Sequence, residues 1–194
     1  MACTLTTGRN VPCQNSIGGI QKLFLIPWEY DAWKDYTFDT TDDFQIDDAP
    51  SGTSCFEFKL RASSSSLTVT VANGDATAGA KAFYQQSAEL VFNMLDVKSV
   101  EAFKKIGDQR VIAIVLDNND KTWFIGFKNG CMISGGTIGT GTARGDMAGF
   151  TLTLTGEEDI PFFMGAQTSG VLTAGYPFDN LTNLSISATA IDPV

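Results

Sequence analysis

Residue types that commonly do chemistry are sparse in this chain of 194 residues. No histidine is present, which excludes every histidine-based catalytic triad and most zinc sites. The four cysteines form no Cys-x-x-Cys pair, so we expect reduced thiols, with a bridge between Cys3 and Cys13 left open. Glu157-Glu158-Asp159 could supply paired carboxylates for acid–base work, but no nucleophile or positioned partner accompanies it. We interpret that triplet as a solvated turn and predict no catalytic residue, no metal site and no cofactor.

Three further motifs match known signatures only on paper. In the stretch Gly-Thr-Gly-Thr-Ala-Arg-Gly at 139–145, the third glycine comes one place late for a dinucleotide loop, and a strand follows instead of a helix. Arg144-Gly145-Asp146 spells an integrin-binding tripeptide but is better explained as a turn. The glycosylation sequons at Asn180 and Asn183 have no meaning without secretion. The sequence therefore favours a protein that is not an enzyme.

Composition and charge narrow the remaining classes. The hydrophobic content of 43% and charged content of 18% are typical of a globular chain, and we expect a single domain over 1–194 with an extended N-terminal arm over 1–19. The net charge is −9, whereas a nucleic-acid-binding surface is normally basic, so stable DNA or RNA binding is not expected. Apolar runs are far shorter than the roughly 20 residues that a membrane helix needs, and the N-terminus lacks the pattern of a signal peptide.

The stretch 109–155 organises the predicted fold. An unbroken aliphatic run over 111–116 predicts a strand covered on both faces. The turn Asp117-Asn118-Asn119-Asp120 leads into a partner strand over 120–127, and Asn129-Gly130 is a strong hairpin signal before a strand at 131–134. A Gly/Thr loop follows, and then 149–155 alternates apolar residues with threonine, which predicts a half-exposed strand. We interpret the whole stretch as a β-meander.

Further strands and one helix are predicted outside the meander. Loose alternation predicts a first strand over 20–28, and strands over 55–62 and 67–72 are interpreted as a hairpin. A long strand over 82–95 precedes a helix that Asp96 or Ser99 can cap and that Gly107 ends. The fold class is therefore mainly β: an antiparallel β-sandwich or barrel flanked by one short α-helix, with long loops.

Two loops are candidates for contact with other subunits. The first is the acidic loop at 29–54 together with Trp28, which precedes it. This stretch contains eight acidic residues over 29–48 and six aromatic residues over 28–44. Large aromatic side chains in a loop suit a protein–protein interface, although they could instead fold back on their own domain. Calcium binding is a third possibility, but the acids lack the spacing of a calcium loop. The second candidate is the Gly-rich loop at 135–147, which we expect to become ordered only on assembly. The candidate contact residues are Trp28, Tyr30, Trp33, Tyr36, Phe38, Phe44 and Arg144.

The stretch around the meander resembles the major tail tube proteins of tailed bacteriophages, particularly a group with short Gly/Thr-rich hairpin loops. The residues that carry the resemblance are the turn at 117–120, Lys-Thr-Trp-Phe-Ile-Gly at 121–126, Asn129-Gly130, the loop at 135–142 and the run 145–158. The element order from Ala82 onward and the opening 3–20 also fit, so that about two-thirds of the chain is covered. The residues at 28–50 and the Phe-rich tail from Ile160 depart from the pattern.

The resemblance implies a structural subunit of the virion tail, assembled in the bacterial host cytoplasm. Such subunits form homohexameric rings that stack into a tube and bind other tail proteins, and their strands join an inner β-barrel that conducts double-stranded DNA during genome ejection without binding it specifically. Six copies at −9 each would carry −54 per ring. A negative lumen would repel phosphates within a screening length of about 8 Å.

Two other functions fit the same sequence. A phage neck, tail-terminator or capsid decoration protein would share the acidic, β-rich profile without forming a filament. A carbohydrate-binding β-sandwich would use Trp28, Trp33 and Trp123 as stacking platforms. We also expect that removal of residues 33–48 leaves a folded monomer that no longer polymerises.

Overall fold

The computed structural model describes residues 17–61, 64–74, 81–93, 97–144, 146–165, 178, 181 and 183–187. These residues are mainly β, with a single α-helix among them, as the sequence predicts. The helix α1 spans Val97–Gly107, and a short 3-10 helix spans Ala32–Asp35. The strands are β1 (Ile20–Pro27), β2 (Thr37–Phe38), β3 (Gln45–Asp48), β4 (Thr53–Lys59), β5 (Ser66–Ala72), β6 (Phe83–Asn93), β7 (Val111–Asp117), β8 (Thr122–Ile125), β9 (Met132–Gly139), β10 (Gly149–Glu158), β11 (Phe163–Gly165) and β12 (Leu184–Ile186).

The strands form two sheets. The large sheet has eight strands in the order β12-β4-β1-β7-β8-β11-β3-β2, and the small sheet has four in the order β5-β6-β10-β9. The small sheet is antiparallel throughout, whereas the large sheet also contains two parallel pairs, β12 with β4 and β11 with β3. The two sheets pack as a sandwich.

Strand β7 is the centre of the large sheet and is covered on both faces, as its unbroken aliphatic run predicts. Val111, Ala113 and Val115 belong to the core between the two sheets, where they meet Leu90 of β6 and Leu154 of β10. The alternate side chains of β7, namely Ile112, Ile114 and Leu116, point to the opposite face and a second core. The large sheet is therefore a central layer with apolar packing on each side.

Helix α1 packs against one end of the core between the sheets. Phe103 lies with its ring centroid 4.6 Å from that of Phe150 and 5.0 Å from that of Phe92, and Ile106 is buried beside them. Val97 and Val100, which continue the same helical period, are 85% and 48% exposed. The predicted helix is thus confirmed over Val97–Gly107, with Ser99 inside it, and the other predicted cap, Asp96, lies outside the described residues.

Two predicted strand pairings are wrong. Strands β4 and β5 exist where the sequence places them, but β4 pairs with β1 in the large sheet and β5 pairs with β6 in the small one, so they form no hairpin. The predicted meander is also divided, because β7 and β8 lie in the large sheet whereas β9 and β10 lie in the small sheet. Asn129-Gly130 therefore belongs to the corner at which the chain passes between the sheets. A period of two residues is the same for either partner, so it could not distinguish them.

The corner between β8 and β9 is held by close backbone packing. Gly126 has a left-handed φ of 62°, and a Cβ at this position would collide with Sγ and the backbone nitrogen of Cys131. The N–H of Gly130 donates to the carbonyl of Gly126 at 3.0 Å, and Val111 and Cys131 exchange two backbone hydrogen bonds. A glycine is required at position 126 by both conformation and space.

A β-bulge divides β9 into two parts. Ile133 pairs with Leu154 and Gly135 pairs with Thr153, so Ser134 is an extra residue between two consecutive pairs. Beyond the bulge, Thr137 pairs with Thr151 and Ile138 with Phe150. The extra residue places Thr137 on the outer face of the small sheet and Ile138 on the same face as the core.

Candidate functional site

The residues at 28–50, here named the aromatic segment, cover the face of the large sheet that the small sheet leaves open. The segment turns at Asp31, whose φ is 62°, passes through the 3-10 helix and β2, and turns again at Asp39. The carboxylate of Asp39 accepts the N–H groups of Thr41 and Asp42 at 2.6 and 2.9 Å, which holds its pKa below the usual range. Strand β3 then pairs with both β2 and β11.

Tyr36 and Phe38 fill the second core. The Tyr36 ring is buried and packs edge-on against Phe127 with a centroid distance of 4.9 Å. Burial raises the pKa of Tyr36 to about 12, since the phenolate would have to form away from water. Phe38 lies 5.3 Å from Phe163 and 6.1 Å from Phe127, centroid to centroid. These two aromatic side chains fold back on their own domain.

Trp28 and Trp33 are half-buried and each is covered by a cation. The indole N–H of Trp28 donates to the Lys128 carbonyl at 3.0 Å, and the Arg110 guanidinium lies 5.5 Å from the Trp28 ring centroid. The ammonium of Lys128 lies 4.7 Å from the Trp33 ring. The third tryptophan, Trp123, donates its N–H to Asp117 and packs edge-on against Phe162. Trp28 and Trp33 pack against the second core, whereas Trp123 packs against the core between the sheets, so the three tryptophans form no shared stacking platform.

Tyr30 and Phe44 are the exposed aromatic residues of the segment, at 82% and 53%. By contrast, Ile46 of β3 is fully buried and Tyr36 is nearly so. The structure therefore disagrees with the expectation that residues 33–48 can be removed from a folded monomer, since that deletion would take core residues and β3 with it. Of the six aromatic candidates for subunit contact, Tyr30 and Phe44 present their rings to solvent.

The outer face of the small sheet carries mostly hydroxyl and amide side chains. Its cross-strand rows follow from the register: Ser66, Glu89 and Thr153 form one, and Thr68, Ser87 and Thr155 form the next. The Oγ1 atoms of Thr137 and Thr151 lie 2.6 Å apart. We name this surface the hydroxyl face, and it comprises Ser66, Thr68, Thr70, Gln85, Ser87, Glu89, Val91, Met132, Thr137, Thr151, Thr153, Thr155 and Glu157.

The charge on the hydroxyl face is entirely negative. Strands β5, β6, β9 and β10 contain no lysine or arginine, and its two ionisable side chains are Glu89 and Glu157. The aromatic segment, which contains eight acids, packs against the opposite face of the large sheet. The acidic loop and the threonine-rich strand β10, which the sequence presents as features of one assembly subunit, therefore lie on opposite surfaces.

Both edges of the small sheet are open among the described residues. Strand β5 pairs with β6 alone and β9 pairs with β10 alone. Seven of the eight residues of β9 are exposed, and neither edge strand carries a charge. The expectation that the Gly-rich stretch becomes ordered only on assembly is wrong for residues 135–139, which already form part of β9. An uncharged open edge of this length is a template for pairing with another chain.

The tip between β9 and β10 carries two exposed charged side chains among its described residues, Arg144 and Asp146. The Asp146 carboxylate turns back on its own loop and accepts the N–H groups of Thr142 and Ala143 at 2.8 and 2.7 Å, which lowers its pKa. Arg144 is exposed. In the integrin-type tripeptide, Asp146 thus stabilises its own loop while Arg144 is exposed, which supports the interpretation of that motif as a turn.

Glu158 is not in a solvated turn, contrary to the sequence interpretation. It is the last residue of β10 and is 2% exposed. Its Oε1 accepts the N–H groups of Lys128 and Asn129, both at 2.9 Å, while Oε2 has no hydrogen-bond partner. Burial raises the pKa of Glu158 despite these two bonds. The carboxylate thus holds the corner between the sheets through two backbone N–H groups. The residues beside Glu158 in the sequence gave no indication of this role.

The thiols and acids offer no sign of metal or redox chemistry in the described part of the chain. Cys55 and Cys131 are free and buried, and burial raises the pKa of each to about 12. No group of three or more possible metal-binding side chains occurs among the described residues. The question of a bridge between Cys3 and Cys13 lies outside them.

Within the same described residues, the α-helix is too short to cross a membrane.

Comparison with known proteins gives little further guidance. No protein-family model matches the chain, and no curated protein matches it. Among solved structures, a chain from a structure titled "Virion of native gene transfer agent (GTA) particle" is similar, with 12% sequence identity and a TM-score of 0.33. The match covers 55% of this chain and 85% of that chain. A TM-score of this size carries no argument about function.

Proposed function

We propose that this protein is the structural subunit of a phage tail tube, in which the small sheets of six copies join edge to edge around a channel for DNA. The observation that carries the proposal is the small sheet itself: four antiparallel strands with two open, uncharged edges and a hydroxyl face that lacks cations. The resemblance of the sequence to tail tube proteins supports the same assignment.

Strand direction favours a closed ring. In a sheet with an even number of antiparallel strands, the first and last strands run in opposite directions, as β5 and β9 do here. Copies related by rotation about a ring axis would therefore bring β9 of one beside β5 of the next in antiparallel orientation. The sheet would continue through each subunit joint without a change of pattern, and a closed ring removes every open edge of the small sheets.

The dimensions favour six copies over three. Six small sheets would give 24 strands, and at about 4.8 Å per upright strand the backbone ring would be roughly 37 Å in diameter. After about 5 Å of side chains on each wall, roughly 27 Å would remain open. Three copies would leave roughly 8 Å, which is narrower than the about 12 Å width of the major groove of DNA alone.

The hydroxyl face suits the wall of such a channel. Each copy would contribute the carboxylates of Glu89 and Glu157 and no cation, so the wall would be mildly acidic and hydrated. Phosphates would be repelled within about 8 Å of the wall at physiological salt, and DNA could slide without binding. The acids of the aromatic segment would lie on the outside of the tube.

Negative-stain electron microscopy of the concentrated, purified chain tests the proposal. Hollow tubes with a regular axial repeat are the expected result. Single rings would favour a neck or tail-terminator protein, and a chain that stays monomeric at every concentration would contradict the tube.

The channel wall has its own test. Thr153→Lys adds a cation to the hydroxyl face, and Thr40→Lys adds the same charge to an exposed position of the aromatic segment. Tubes of the Thr153 variant are expected to retain duplex DNA on sedimentation at low salt and release it at high salt, whereas wild-type and Thr40 tubes retain none. Equal retention by the two variants would show that the hydroxyl face does not line the channel.

A further inference from the structure

An apolar groove of about 400 Å³ opens between the two sheets at the β5 edge. Leu67 and Val69 of β5 form one wall, while Val115 of β7 and Trp123 of β8 form the other. Phe162 packs against Trp123 inside it. The groove is bordered by Asp117 and Asn119, which belong to the turn at 117–120.

A matching feature projects from the other edge of the small sheet. Ile138 lies near the end of the edge strand β9 on the core-side face, yet it is 67% exposed. The tip that follows carries Arg144, which is exposed. An exposed aliphatic side chain and an exposed cation thus lie close together in sequence at the free end of the β9–β10 hairpin, residues 132–158.

We infer that the β9–β10 hairpin of one copy docks into the groove of a second copy, with Ile138 entering the groove and Arg144 facing the acidic turn at 117–120. This inference deepens the proposed ring and rests on it. The contact is heterologous: the two surfaces lie on opposite edges of the small sheet, so each copy offers one of each.

Three observations select a second copy of this chain as the occupant. Strands β9 and β5 run in opposite directions, so the end of β9 that carries Ile138 and the end of β5 where the groove lies point toward the same end of a ring. Neither strand bears a charge that would oppose their pairing. The turn at 117–120, at the mouth of the groove, carries Asp117 and Asp120, and the hairpin tip carries the exposed Arg144 two residues before Asp146.

A charged residue at position 138 tests the apolar part of this contact. Ile138→Asp is expected to raise the protein concentration needed for assembly by about tenfold or more, since it would bury a carboxylate in the groove. The matched control is Val97→Asp, which makes a similar change at an aliphatic side chain that is 85% exposed on α1. The control is expected to assemble like the wild type, and circular dichroism should show both variants folded. Equal assembly of the two variants would overturn the inference.

A double-mutant cycle tests the charged part. Arg144→Ala and Asp120→Asn are each expected to raise the assembly concentration severalfold, and asparagine suits the left-handed backbone at position 120, where φ is 60°. If the two side chains meet across the joint, the double variant assembles about as well as either single one. Multiplied effects would show that they act independently and would refute the pairing.

The outcomes separate this inference from the proposed function. Tubes that form normally from the Ile138 and Arg144 variants would leave the tail tube standing and reject this joint. A wild-type chain that never assembles would reject both.

Discussion

The aromatic segment and the β9–β10 hairpin both contain stretches that the sequence presents as contact loops, yet they serve opposite purposes in the fold. The aromatic segment uses its large side chains to cover its own large sheet, and Tyr36 and Ile46 end up in a core. The hairpin has small side chains along β9 and leaves that edge open, with Ile138 in solvent. The aromatic residues, which are typical of an interface, stabilise the monomer. The Gly-rich residues of β9, which are typical of a flexible loop, leave a surface free.

Residue size explains the difference. A Phe or Tyr ring buries enough apolar area to hold a segment against its own domain, so an aromatic-rich loop beside an uncovered sheet folds onto it. Glycine and threonine bury little apolar area, so β9 is held mainly by its backbone hydrogen bonds to β10. Aromatic content alone therefore does not identify an assembly surface.

The largest predicted effect tests the first half of this comparison. Tyr36→Ala is expected to lower the free energy of unfolding by about 3–5 kcal/mol, because it leaves a cavity beside Phe127. Tyr30→Ala makes the same change in the same segment at an exposed ring and should cost less than about 0.5 kcal/mol. Urea denaturation of the two variants measures both values, and a similar cost for each would show that the segment is not part of the core.

A pair of glycine substitutions gives a smaller effect and compares the corner with the open edge. Gly126→Ala is expected to cost about 2 kcal/mol or more, since its left-handed backbone and its contact with Cys131 leave no room for a methyl group. Gly139→Ala lies at the end of β9, where a Cβ would meet no atom within 4 Å, and should leave stability nearly unchanged. Thermal unfolding of both variants checks the contrast, which disappears if the corner can relax.

The smallest effect concerns the pH dependence of the corner. Because the pKa of Glu158 is raised above 4.5 in the folded state, the native protein holds this proton more tightly than the unfolded chain does. Stability from this group is therefore fully present below pH 4.5 and declines as the pH rises through the raised pKa. Glu158→Gln should remove that decline while keeping an acceptor for the two N–H groups, whereas Glu158→Ala should cost about 1–2 kcal/mol.

Urea titrations at several pH values measure this slope, with Glu157→Gln as the neighbouring exposed control. A slope that persists in the Glu158→Gln protein would assign it to another group.

The sequence predicts strands and the helix well but not their partners. The aliphatic run at 111–116 correctly predicted a strand covered on both faces, and the spacing of Val97, Val100, Phe103 and Ile106 correctly predicted a helix. Alternation at 55–62 and 67–72 gave two correct strands, yet the choice of sheet depends on contacts with β1 and β6, which no local pattern encodes. The threonines of β10 correctly indicated a polar face.

The candidate site was harder to predict for the same reason. The groove and the exposure of Ile138 depend on how the two sheets pack, which is a property of the sandwich and not of any short motif. Glu158 looked like its solvated neighbours because burial depends on the corner packed above it. Only the exposure of Arg144 followed from its Gly-rich surroundings.

Ser134 sets the register of the last residues of β9, and so the face on which each of their side chains lies. Because Ser134 is the extra residue of the β9 bulge, Thr137 faces the proposed channel and Ile138 faces the adjoining copy. If Ser134 instead paired with Thr153 without a bulge, the residues after it would move by one place, turning Ile138 toward the passing DNA and Thr137 toward the adjoining copy. A single extra residue in β9 therefore determines which side chains of this strand face the channel and which face the neighbouring subunit.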